Sequence, residues 1–452
     1  MESINPATGQ LLKTFDTWDA AQLEAALRAA ADARAEWQAT PFGERARLFR
    51  TIAAALRKRT AHYAGLISQE MGKLIKEARA EVEKCAWGCE YYAENGERFL
   101  RDEVVETDAS LSYIAYLPLG TVLAIMPWNF PFWQVFRAAA PALMAGNTMV
   151  LKHASSVPQC AQALDEIFRD AGFPRGVFSA LMISAAQAEQ AIADPRIQAV
   201  TLTGSEAAGR GVAAAAGAQL KKTVLELGGS DAFVVLEDAD LEQAAATGAA
   251  ARLLNCGQSC IAAKRFIVVG KIADEYLALL KQKLQALKLG DPALEGTQLG
   301  PMARADLRDQ LHAQVRDSVA AGAGLVLGGE PHPGPGFFYK ATILDQVGPG
   351  MRAYDEELFG PVAIVLRARN EDDALRLAND NRYGLGASVW TRDSKRGERF
   401  ARRVQSGASF VNGMVKSDPR LPFGGVKASG YGRELSIHGI REFVNVKTMW
   451  IK

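Results

Sequence analysis

Short apolar runs of five or six residues recur along the middle of the chain, at residues 121–126, 147–151, 177–181, 199–203 and 232–236. Helical patterns such as that of residues 159–171 lie between most of them. Runs that are apolar throughout are typical of strands covered on both faces. Their alternation with helices predicts a parallel α/β sheet, whose ligands bind at the carboxyl ends of the strands.

The flanking segments extend this pattern. Residues 1–15 read as two short strands joined by a turn, and residues 19–100 show helical spacing. Residues 107–116 alternate polar and apolar positions, which predicts a strand. Further strands are predicted at 324–327, 361–365, 387–390 and 409–412, and a long alternating strand at 442–451. The later strands indicate a second α/β domain, and the terminal strand needs an edge with which to pair.

Length, charge and cysteine content exclude several classes of protein and partner. A chain of 452 residues is expected to form two or three domains. Its formal net charge of +1, without a basic stripe, argues against nucleic acid as a partner. No apolar run is long enough to cross a membrane, and the N-terminus does not resemble a secretory signal. Five cysteines without a signal favour a reducing cytoplasm, and no metal site is expected.

The segment NCGQSC at 255–260 carries the strongest chemical signal. Gly257 and Ser259 permit a sharp turn between a predicted helix and a predicted strand, which presents Cys260 as a candidate nucleophile. Glu226, in an apolar run that ends in two glycines, is a candidate base because desolvation raises the pKa of a carboxyl. Cys256 either forms a reversible disulfide or fills space, and we favour the second interpretation.

Other strand ends carry candidate binding residues. No G-x-G-x-x-G fingerprint occurs, but Gly204 and Ser205 close a strand and open a helix, which suits a pyrophosphate. Asn129 stands between aromatic residues and prolines, where its amide can donate to an oxyanion. Lys152 follows a strand and can hold ribose or phosphate oxygens. The acid Glu357 and the aromatic Phe359 suit sugar hydroxyls and a flat ring.

Seven motifs together resemble the aldehyde dehydrogenase superfamily, from about residue 5 to the C-terminus. They are PWNFP at 127–131, KHA at 152–154, TGS at 203–205, LELGG at 225–229, GQSC at 257–260, ELFGP at 357–361 and PFGGVKASG at 422–430. The resemblance implies that Cys260 attacks an aldehyde, that Asn129 and the Cys260 backbone N–H hold the oxyanion, and that Glu226 activates the water that hydrolyses the thioester. Lys152 is implied at a position that is both catalytic and cofactor-binding.

The resemblance also implies a cofactor and an architecture. The implied cofactor positions are Trp128, Asn129, Lys152, His153, Ala154, Ser155, Gly204, Ser205, Leu227, Glu357 and Phe359. The implied fold has a cofactor domain at 1–106 and 120–230, a catalytic domain at 231–430, and a small β oligomerisation element at 107–119 and 431–452. A homodimer or homotetramer is expected.

Within the superfamily the chain looks most like the shorter bacterial succinate-semialdehyde dehydrogenases, through LELGGSD at 225–231, KRF at 264–266 and FGGVK at 423–427. Arg137, eight positions after Asn129, falls where such enzymes bind the substrate carboxylate. A second Arg common six positions before the nucleophile is replaced by Leu254. Ser155 stands where members that prefer NAD often carry Glu, so NADP is expected to be accepted, either preferred or alongside NAD.

Four alternatives follow from the same residues. A CoA-acylating relative would pass the acyl group to CoA, but Glu226 favours water. A broad-specificity aldehyde dehydrogenase would use the same machinery. A non-catalytic protein on this fold would be expected to lack Cys260, Glu226 or Asn129, and all three are present. A cysteine hydrolase lacks a plausible His partner.

Overall fold

The computed structural model describes all residues, 1–452. Twenty strands are formed: β1 Glu2–Ile4, β2 Leu11–Thr14, β3 Glu103–Val104, β4 Leu111–Pro118, β5 Thr121–Met126, β6 Thr148–His153, β7 Phe178–Leu181, β8 Ile197–Thr203, β9 Lys222–Glu226, β10 Asp231–Val235, β11 Ala263–Val269, β12 Gly324–Leu327, β13 Thr342–Asp345, β14 Val362–Ala368, β15 Tyr383–Gly384, β16 Gly386–Trp390, β17 Ala408–Val411, β18 Val426–Lys427, β19 Gly430–Tyr431 and β20 Val444–Ile451.

Sixteen α-helices accompany them: α1 Ala20–Asp32, α2 Arg34–Ala39, α3 Phe42–Lys58, α4 Thr60–Met71, α5 Ile75–Phe99, α6 Trp133–Met144, α7 Pro158–Asp170, α8 Ala185–Ala193, α9 Glu206–Ala218, α10 Leu241–Leu253, α11 Ala273–Gln285, α12 Ala305–Ala320, α13 Arg352–Asp355, α14 Glu371–Asn379, α15 Ser394–Ala401 and α16 Ser436–Arg441. None of the helices combines the length and the apolar character that a bilayer crossing requires.

A six-stranded sheet has the order β19-β9-β8-β5-β6-β7. Its strands are parallel except β19, which pairs antiparallel with β9. The inner strands are buried on both faces, as their uninterrupted apolar sequences predict. The carboxyl ends of β5, β6, β8 and β9 therefore meet at one edge, where the loops with the predicted site residues begin.

A seven-stranded sheet with its own apolar core has the order β12-β13-β14-β11-β10-β16-β17, and only β12 is antiparallel. The predicted second α/β arrangement is therefore confirmed. The loop between α10 and β11 lies at one end of this sheet and carries Cys260. Each of the two sheets thus supplies one side of the candidate site.

A third sheet of three antiparallel strands has the order β20-β4-β3. The terminal strand pairs with β4 over its whole length, from Val444 against Pro118 to Ile451 against Leu111. The strand predicted over 107–116 is displaced, because residues 107–110 form a bend in which Thr107 Oγ1 accepts from the Ala109 N–H and pairs with Ser112 Oγ. The strand begins at Leu111 instead. The outer edge of β20 has no partner within the chain.

Candidate active site

Two cavities meet at Cys260. The first, of about 400 Å³, lies at the carboxyl ends of the six-stranded sheet and is called the sheet-end cleft; it is lined by residues that include Trp128, Asn129, Gly204, Ser205, Leu227, Glu357 and Phe359. The second, of about 200 Å³, is called the inner cavity; its lining includes Lys84, Phe130, Trp133, Arg137, Ser417 and Phe423. Cys260 and Gln134 line both. The thiol therefore lies where the contents of the two cavities can touch.

A strained turn presents Cys260. Asn255, Cys256 and Gly257 have φ angles of 58°, 56° and 73°, three successive left-handed residues. This region costs a non-glycine residue roughly 1–2 kcal/mol. A Cβ on Gly257 would collide with the carbonyl oxygen of Gly360, so only glycine fits there. The sharp turn expected from Gly257 is confirmed, and the two residues before it share the left-handed conformation.

Hydrogen bonds from distant segments hold this turn. The backbone N–H of Asn255 donates to the Glu77 carboxylate at 3.0 Å, and Asn255 Nδ2 donates to the Asn129 carbonyl at 2.7 Å. Lys264 Nζ donates to the carbonyl oxygens of Ser259 and Cys260, each at 2.8 Å. Such over-determined loops keep strained backbone at functional sites.

The surroundings set the protonation state of Cys260. Burial raises the pKa of its thiol to about 12, whereas the charges of Arg137 and Lys264 act in the opposite direction. Without further positive charge the sulfur therefore remains a thiol at neutral pH. Since the thiolate is the nucleophile, a cation or a base brought into either cavity would activate it.

The other four cysteines are free and buried. Cys256 packs in the core, and its thiol donates to the Gly300 carbonyl oxygen at 3.2 Å. It is not in a disulfide, and its contacts agree with the space-filling interpretation. No group of three or more His, Cys, Asp or Glu side chains is arranged to hold a metal ion.

Glu226 ends β9 and is buried, and neither of its carboxyl oxygens has a hydrogen-bond partner. Burial and the nearby Glu434 carboxylate raise its pKa well above the usual range, while Arg137 and Arg433 oppose the shift. A buried carboxyl without partners is costly and therefore rare. Such a group is suited to exchange a proton with a molecule that enters the site.

Asn129 follows β5 and lies close to the nucleophile loop. Its Nδ2 donates to the Gln258 carbonyl at 3.0 Å, and its Oδ1 accepts from Gln134 Nε2 at 3.0 Å. These bonds fix the orientation of the amide and leave its second N–H free, because a carboxamide carries two donors. The Lys73 ammonium donates to the backbone carbonyl of Asn129 at 2.9 Å.

The sheet-end cleft combines a helix start, aromatic walls and an acid. Gly204 and Ser205 lead from β8 into α9, where Ser205 caps the helix through Ala208. The rings of Trp128 and Phe359 meet edge to face, with centroids 5.8 Å apart. The Glu357 carboxylate accepts from the Gly229 N–H at 3.1 Å and pairs with Lys264 at 3.3 Å. Leu227 lies against Gly209, where a Cβ on the glycine would collide with it.

The predicted cofactor residues at and after the end of β6 differ in how accessible their side chains are. Lys152 is half-buried and makes no ion pair, and Ser155 is exposed on the following turn. The ring of His153, predicted at the cofactor site, is buried: Nε2 bonds to the Pro131 carbonyl at 2.8 Å and Nδ1 accepts from the Ala154 N–H. Burial lowers the pKa of His153 to about 4. Both ring nitrogens are engaged within the protein, so the ring of His153 is not free to bind a ligand.

The residues of the sheet-end cleft fit a nicotinamide dinucleotide. The start of α9 offers backbone N–H groups and a positive dipole end for a pyrophosphate. The unpaired ammonium of Lys152 and the carboxylate of Glu357 can bond to ribose hydroxyls. A cleft bounded by one helix start, one acid and two aromatic rings, with the Lys152 ammonium near the end of the neighbouring strand β6, matches the parts of such a cofactor.

The sequence model of the aldehyde dehydrogenase family matches residues 1–449. The chain belongs to this family. A relative from Synechocystis, described as a probable succinate-semialdehyde dehydrogenase that uses NADP⁺, is 53% identical over 99% of both chains. Succinate-semialdehyde dehydrogenase [NADP(+)] 1 of Mycobacterium tuberculosis is 48% identical, also over 99% of both.

Solved structures of aldehyde dehydrogenases have the same fold as this chain. Succinic semialdehyde dehydrogenase of Streptococcus pyogenes, determined in complex with NADP⁺, superposes with a TM-score of 0.98 at 39% identity, over 100% of this chain and 99% of its own. An NAD-dependent aldehyde dehydrogenase from Sinorhizobium meliloti gives 0.97 at 33% identity, over 100% of this chain and 91% of its own. The family and the aldehyde-dehydrogenase-like α/β fold predicted from the motifs are thereby confirmed.

Arg137, predicted to bind a substrate carboxylate, lies in the wall of the inner cavity of this family member. Its guanidinium is buried and forms an ion pair with Glu434. It also donates to Thr203 Oγ1 at 3.1 Å and stacks over the Phe423 ring at 4.7 Å. Its charge is therefore already balanced within the protein.

The structure places further residues at the candidate site that sequence reasoning missed. Glu434 neighbours Glu226 and balances Arg137, and nothing in its local sequence indicates this. Lys264 was noted only as part of the subfamily motif, although it links the Cys260 loop to Glu357. Lys84, spaced as one more charged position of a long helix, lines the inner cavity. The sequence around a helical lysine gives no sign that its side chain will line a cavity.

Proposed function

We propose that this aldehyde dehydrogenase oxidises succinate semialdehyde, or a similar short ω-carboxy aldehyde, to the acid with NADP. One observation carries the proposal: Cys260 lies at the junction of a cleft that fits a dinucleotide and a small cavity with basic side chains. The relatives that are 53% and 48% identical are named NADP-dependent succinate-semialdehyde dehydrogenases, which supports both substrate and cofactor.

The chemistry follows from the groups at the junction. The Cys260 thiol first gives its proton to water. The sulfur then bonds to the carbonyl carbon as the carbonyl π bond breaks, and the oxygen takes up the negative charge. The free N–H of Asn129 and the backbone N–H of Cys260, which has no acceptor within the protein, can hold that oxyanion. A bound nicotinamide ring supplies the hydride acceptor. The acyl group then remains on Cys260 as a thioester.

Hydrolysis of the thioester requires a base. The Glu226 carboxylate would remove a proton from water as the water oxygen bonds to the acyl carbon, and the Cys260 sulfur leaves. The lack of hydrogen-bond partners on both Glu226 oxygens supports this role, because the carboxyl is free to bind water. The same observation favours water over CoA as the acyl acceptor, so the CoA-acylating alternative ranks second.

Cofactor choice depends on the turn after β6. Ser155 is exposed there and uncharged. Lys152 is the last residue but one of β6 and makes no ion pair. A hydroxyl and an ammonium can both donate to a 2′-phosphate, whereas a carboxylate at position 155 would repel it. We propose that NADP is used, with NAD accepted less well.

Assembly also belongs to the proposal. The division into a cofactor domain (1–106 and 120–230), a catalytic domain (231–430) and an oligomerisation element (107–119 and 431–452) is supported by the three largest sheets. Two strands are exceptions: β3, at 103–104, belongs to the third sheet, and Gly430 of β19 pairs with Glu226 of the first sheet. The unpaired edge of β20 supports a homodimer or homotetramer in which another copy covers it.

The test is a panel of aldehydes with NAD and NADP, monitored at the absorbance of reduced nicotinamide. Succinate semialdehyde with NADP is expected to give the highest kcat/KM, and comparable values for uncharged aldehydes would support broad specificity instead. Cys260→Ala is expected to abolish turnover and to retain NADP binding, measured by calorimetry. Appreciable oxidation by that variant would contradict the assignment of the nucleophile.

A further inference from the structure

The inner cavity contains basic groups whose charges are balanced to different degrees. Arg137 and Glu434 form a buried ion pair with no net charge. Arg137 can still offer N–H donors, but it adds no net positive charge with which to attract a carboxylate. A buried ion requires a partner of opposite charge, so the cation that selects a charged substrate must be one without a protein counter-ion.

Lys84 is such a cation. It projects from α5 into the inner cavity and forms no ion pair, and its Nζ donates only to the neutral hydroxyl oxygen of Ser417, at 2.7 Å. The ammonium also lies over the Trp133 ring, 4.6 Å from its centroid. An ammonium has three donors, so two N–H groups of Lys84 remain.

Ser417 adds a donor beside this ammonium. Its Oγ accepts from Lys84 and also from Trp133 Nε1, at 3.2 Å. Because both lone pairs of the hydroxyl oxygen are thereby occupied, its own hydrogen must point to a third group. The Ser417 side chain is buried and lines the same cavity. The ammonium and the hydroxyl are thus adjacent donors in a small cavity that opens on the nucleophile.

We propose that Lys84, supported by the Ser417 hydroxyl, binds the carboxylate of the substrate and supplies the positive charge that selects an ω-carboxy aldehyde. Arg137 contributes hydrogen-bond donors, but its charge is offset by Glu434. The proposal rests on the proposed function, since it names the residue that recognises the acid group. The proposal does not depend on how the dinucleotide binds.

The charges that face Lys84 predict how this recognition depends on pH. Burial and the charge of Arg137 lower its pKa to about 8, whereas Cys85, Asp418 and Glu81 act in the opposite direction. Asp418 is paired with Arg420 and Glu81 with Lys73, and burial keeps the Cys85 thiol protonated. Cys260, Glu77, Glu226, Glu434 and the exposed Lys416 are the other titratable groups of or beside the cavity. The ammonium is therefore present below about pH 8 and lost above it.

The first experiment compares succinate semialdehyde with butyraldehyde. In Lys84→Met, kcat/KM is expected to fall 10- to 100-fold for the former and less than threefold for the latter, because a charged hydrogen bond contributes about 1.5–3 kcal/mol. Met retains the contact with Trp133. Lys416→Met, which removes an exposed lysine at the rim, is the matched control. It is expected to change the ratio of the kcat/KM values for the two aldehydes less than twofold.

Two further variants sharpen the comparison. The double variant Arg137→Leu/Glu434→Gln removes a neutral pair, so its selective loss for succinate semialdehyde is expected to be smaller than that of Lys84→Met. In the wild type the ratio of the two kcat/KM values should fall above about pH 8, and Lys84→Arg should keep it constant. Equal losses for both aldehydes in Lys84→Met, or no loss, would overturn the proposal.

A second experiment needs neither cofactor nor turnover. Succinate, the product of the proposed reaction, should slow alkylation of Cys260 by iodoacetamide in the wild type and in Lys416→Met, and at least tenfold more succinate should be needed in Lys84→Met. If the wild type fails to oxidise succinate semialdehyde, the proposed substrate is wrong, yet this experiment still decides whether Lys84 binds a carboxylate. Identical protection in all three proteins would refute that role.

Discussion

At the scale of single residues, the site depends on two groups whose charged forms burial disfavours. Burial raises the pKa of Cys260 to about 12 and that of Glu226 well above its usual range. The reactivity of both groups therefore depends on what the two cavities hold.

Glu226→Gln is expected to lower steady-state kcat by about 10²–10⁴-fold, the usual contribution of a positioned base. A stoichiometric burst of reduced cofactor should survive in stopped-flow absorbance, because Glu226 acts after the thioester has formed. An unchanged steady-state rate would remove Glu226 from the mechanism.

The same residue predicts a pH profile. Since the pKa of Glu226 is raised, its base form is scarce at acid pH, and kcat should increase as pH rises until the carboxyl ionises. Glu434→Gln removes a neighbouring negative charge and leaves Arg137 unpaired, so this rise should shift to lower pH. A rise at the same pH in both proteins would contradict the assignment to Glu226.

Ser155→Glu is expected to lower kcat/KM for NADP by about 10–100-fold, since a carboxylate there would repel the 2′-phosphate. The value for NAD should change much less. Steady-state kinetics with both cofactors measure the effect, and Ser155→Ala separates the loss of the hydroxyl from the added charge. A wild type without turnover at millimolar NADP would contradict this interpretation of the turn.

At the scale of elements, a buried ion pair joins α5, α6 and the Asn129 loop. The Glu81 carboxylate accepts from the first N–H groups of α6, those of Phe132 and Trp133, at 2.9 and 3.0 Å. It also pairs with Lys73, which bonds to the Asn129 carbonyl. The dipole of α6 favours the negative charge at its start. The Asn129 amide, which we propose holds the oxyanion, is thus positioned by an ion pair on another element.

Lys73→Met should lower the unfolding free energy by about 3–5 kcal/mol, because it leaves a buried carboxylate without a counter-ion. Adding Glu81→Gln should recover part of that loss, and a double-mutant cycle of urea-unfolding midpoints measures the coupling. In Lys73→Met, kcat should also fall with little change in KM, as Asn129 loses its support. Additive effects of the two substitutions would mean that the pair is not coupled.

At the scale of the whole molecule, two sheets with separate cores enclose the site, and a third sheet extends from them. β20 exposes Val446 and Trp450 on one face, 60% and 49% accessible, and has an unpaired edge. Exposed apolar side chains beside an open strand edge indicate a surface that another chain covers. The assembly surface that we propose therefore lies on a different sheet from the two that enclose the site.

Val446→Asp/Trp450→Asp is expected to dissociate the oligomer while each chain stays folded, since both side chains are exposed in the single chain. Light scattering after gel filtration measures the mass, and circular dichroism checks the fold. Lys447→Asp, on the opposite face of β20, is the matched control. A double variant of unchanged mass would place the interface elsewhere.

The sequence by itself determined the local features. Uninterrupted apolar runs specify strands, and the predicted strands at 121–126, 324–327 and 387–390 are found within a residue or two of those positions. The first and third are buried, whereas the second is a partly exposed edge strand. The motif around Cys260 indicated its turn because the left-handed conformation of Gly257 favours glycine locally, whereas the collision of a Cβ with Gly360 that also requires glycine arises only in the folded chain. The strand at 107–116 was misplaced because Thr107 bonds to its own neighbours, which competes with strand pairing.

Only the tertiary structure decided which polar and charged groups become hydrogen-bond or ion-pair partners. Lys84 and Ser417 are 333 residues apart, and Asn255 and Asn129 are 126 apart, so no local pattern could pair them. Arg137 was recognised by its spacing, but its partner Glu434 is supplied by the returning C-terminal segment. His153 lay within a cofactor motif, yet packing turned its ring inward. Protonation and charge balance depend on burial and on neighbours, and both arise only when distant segments meet.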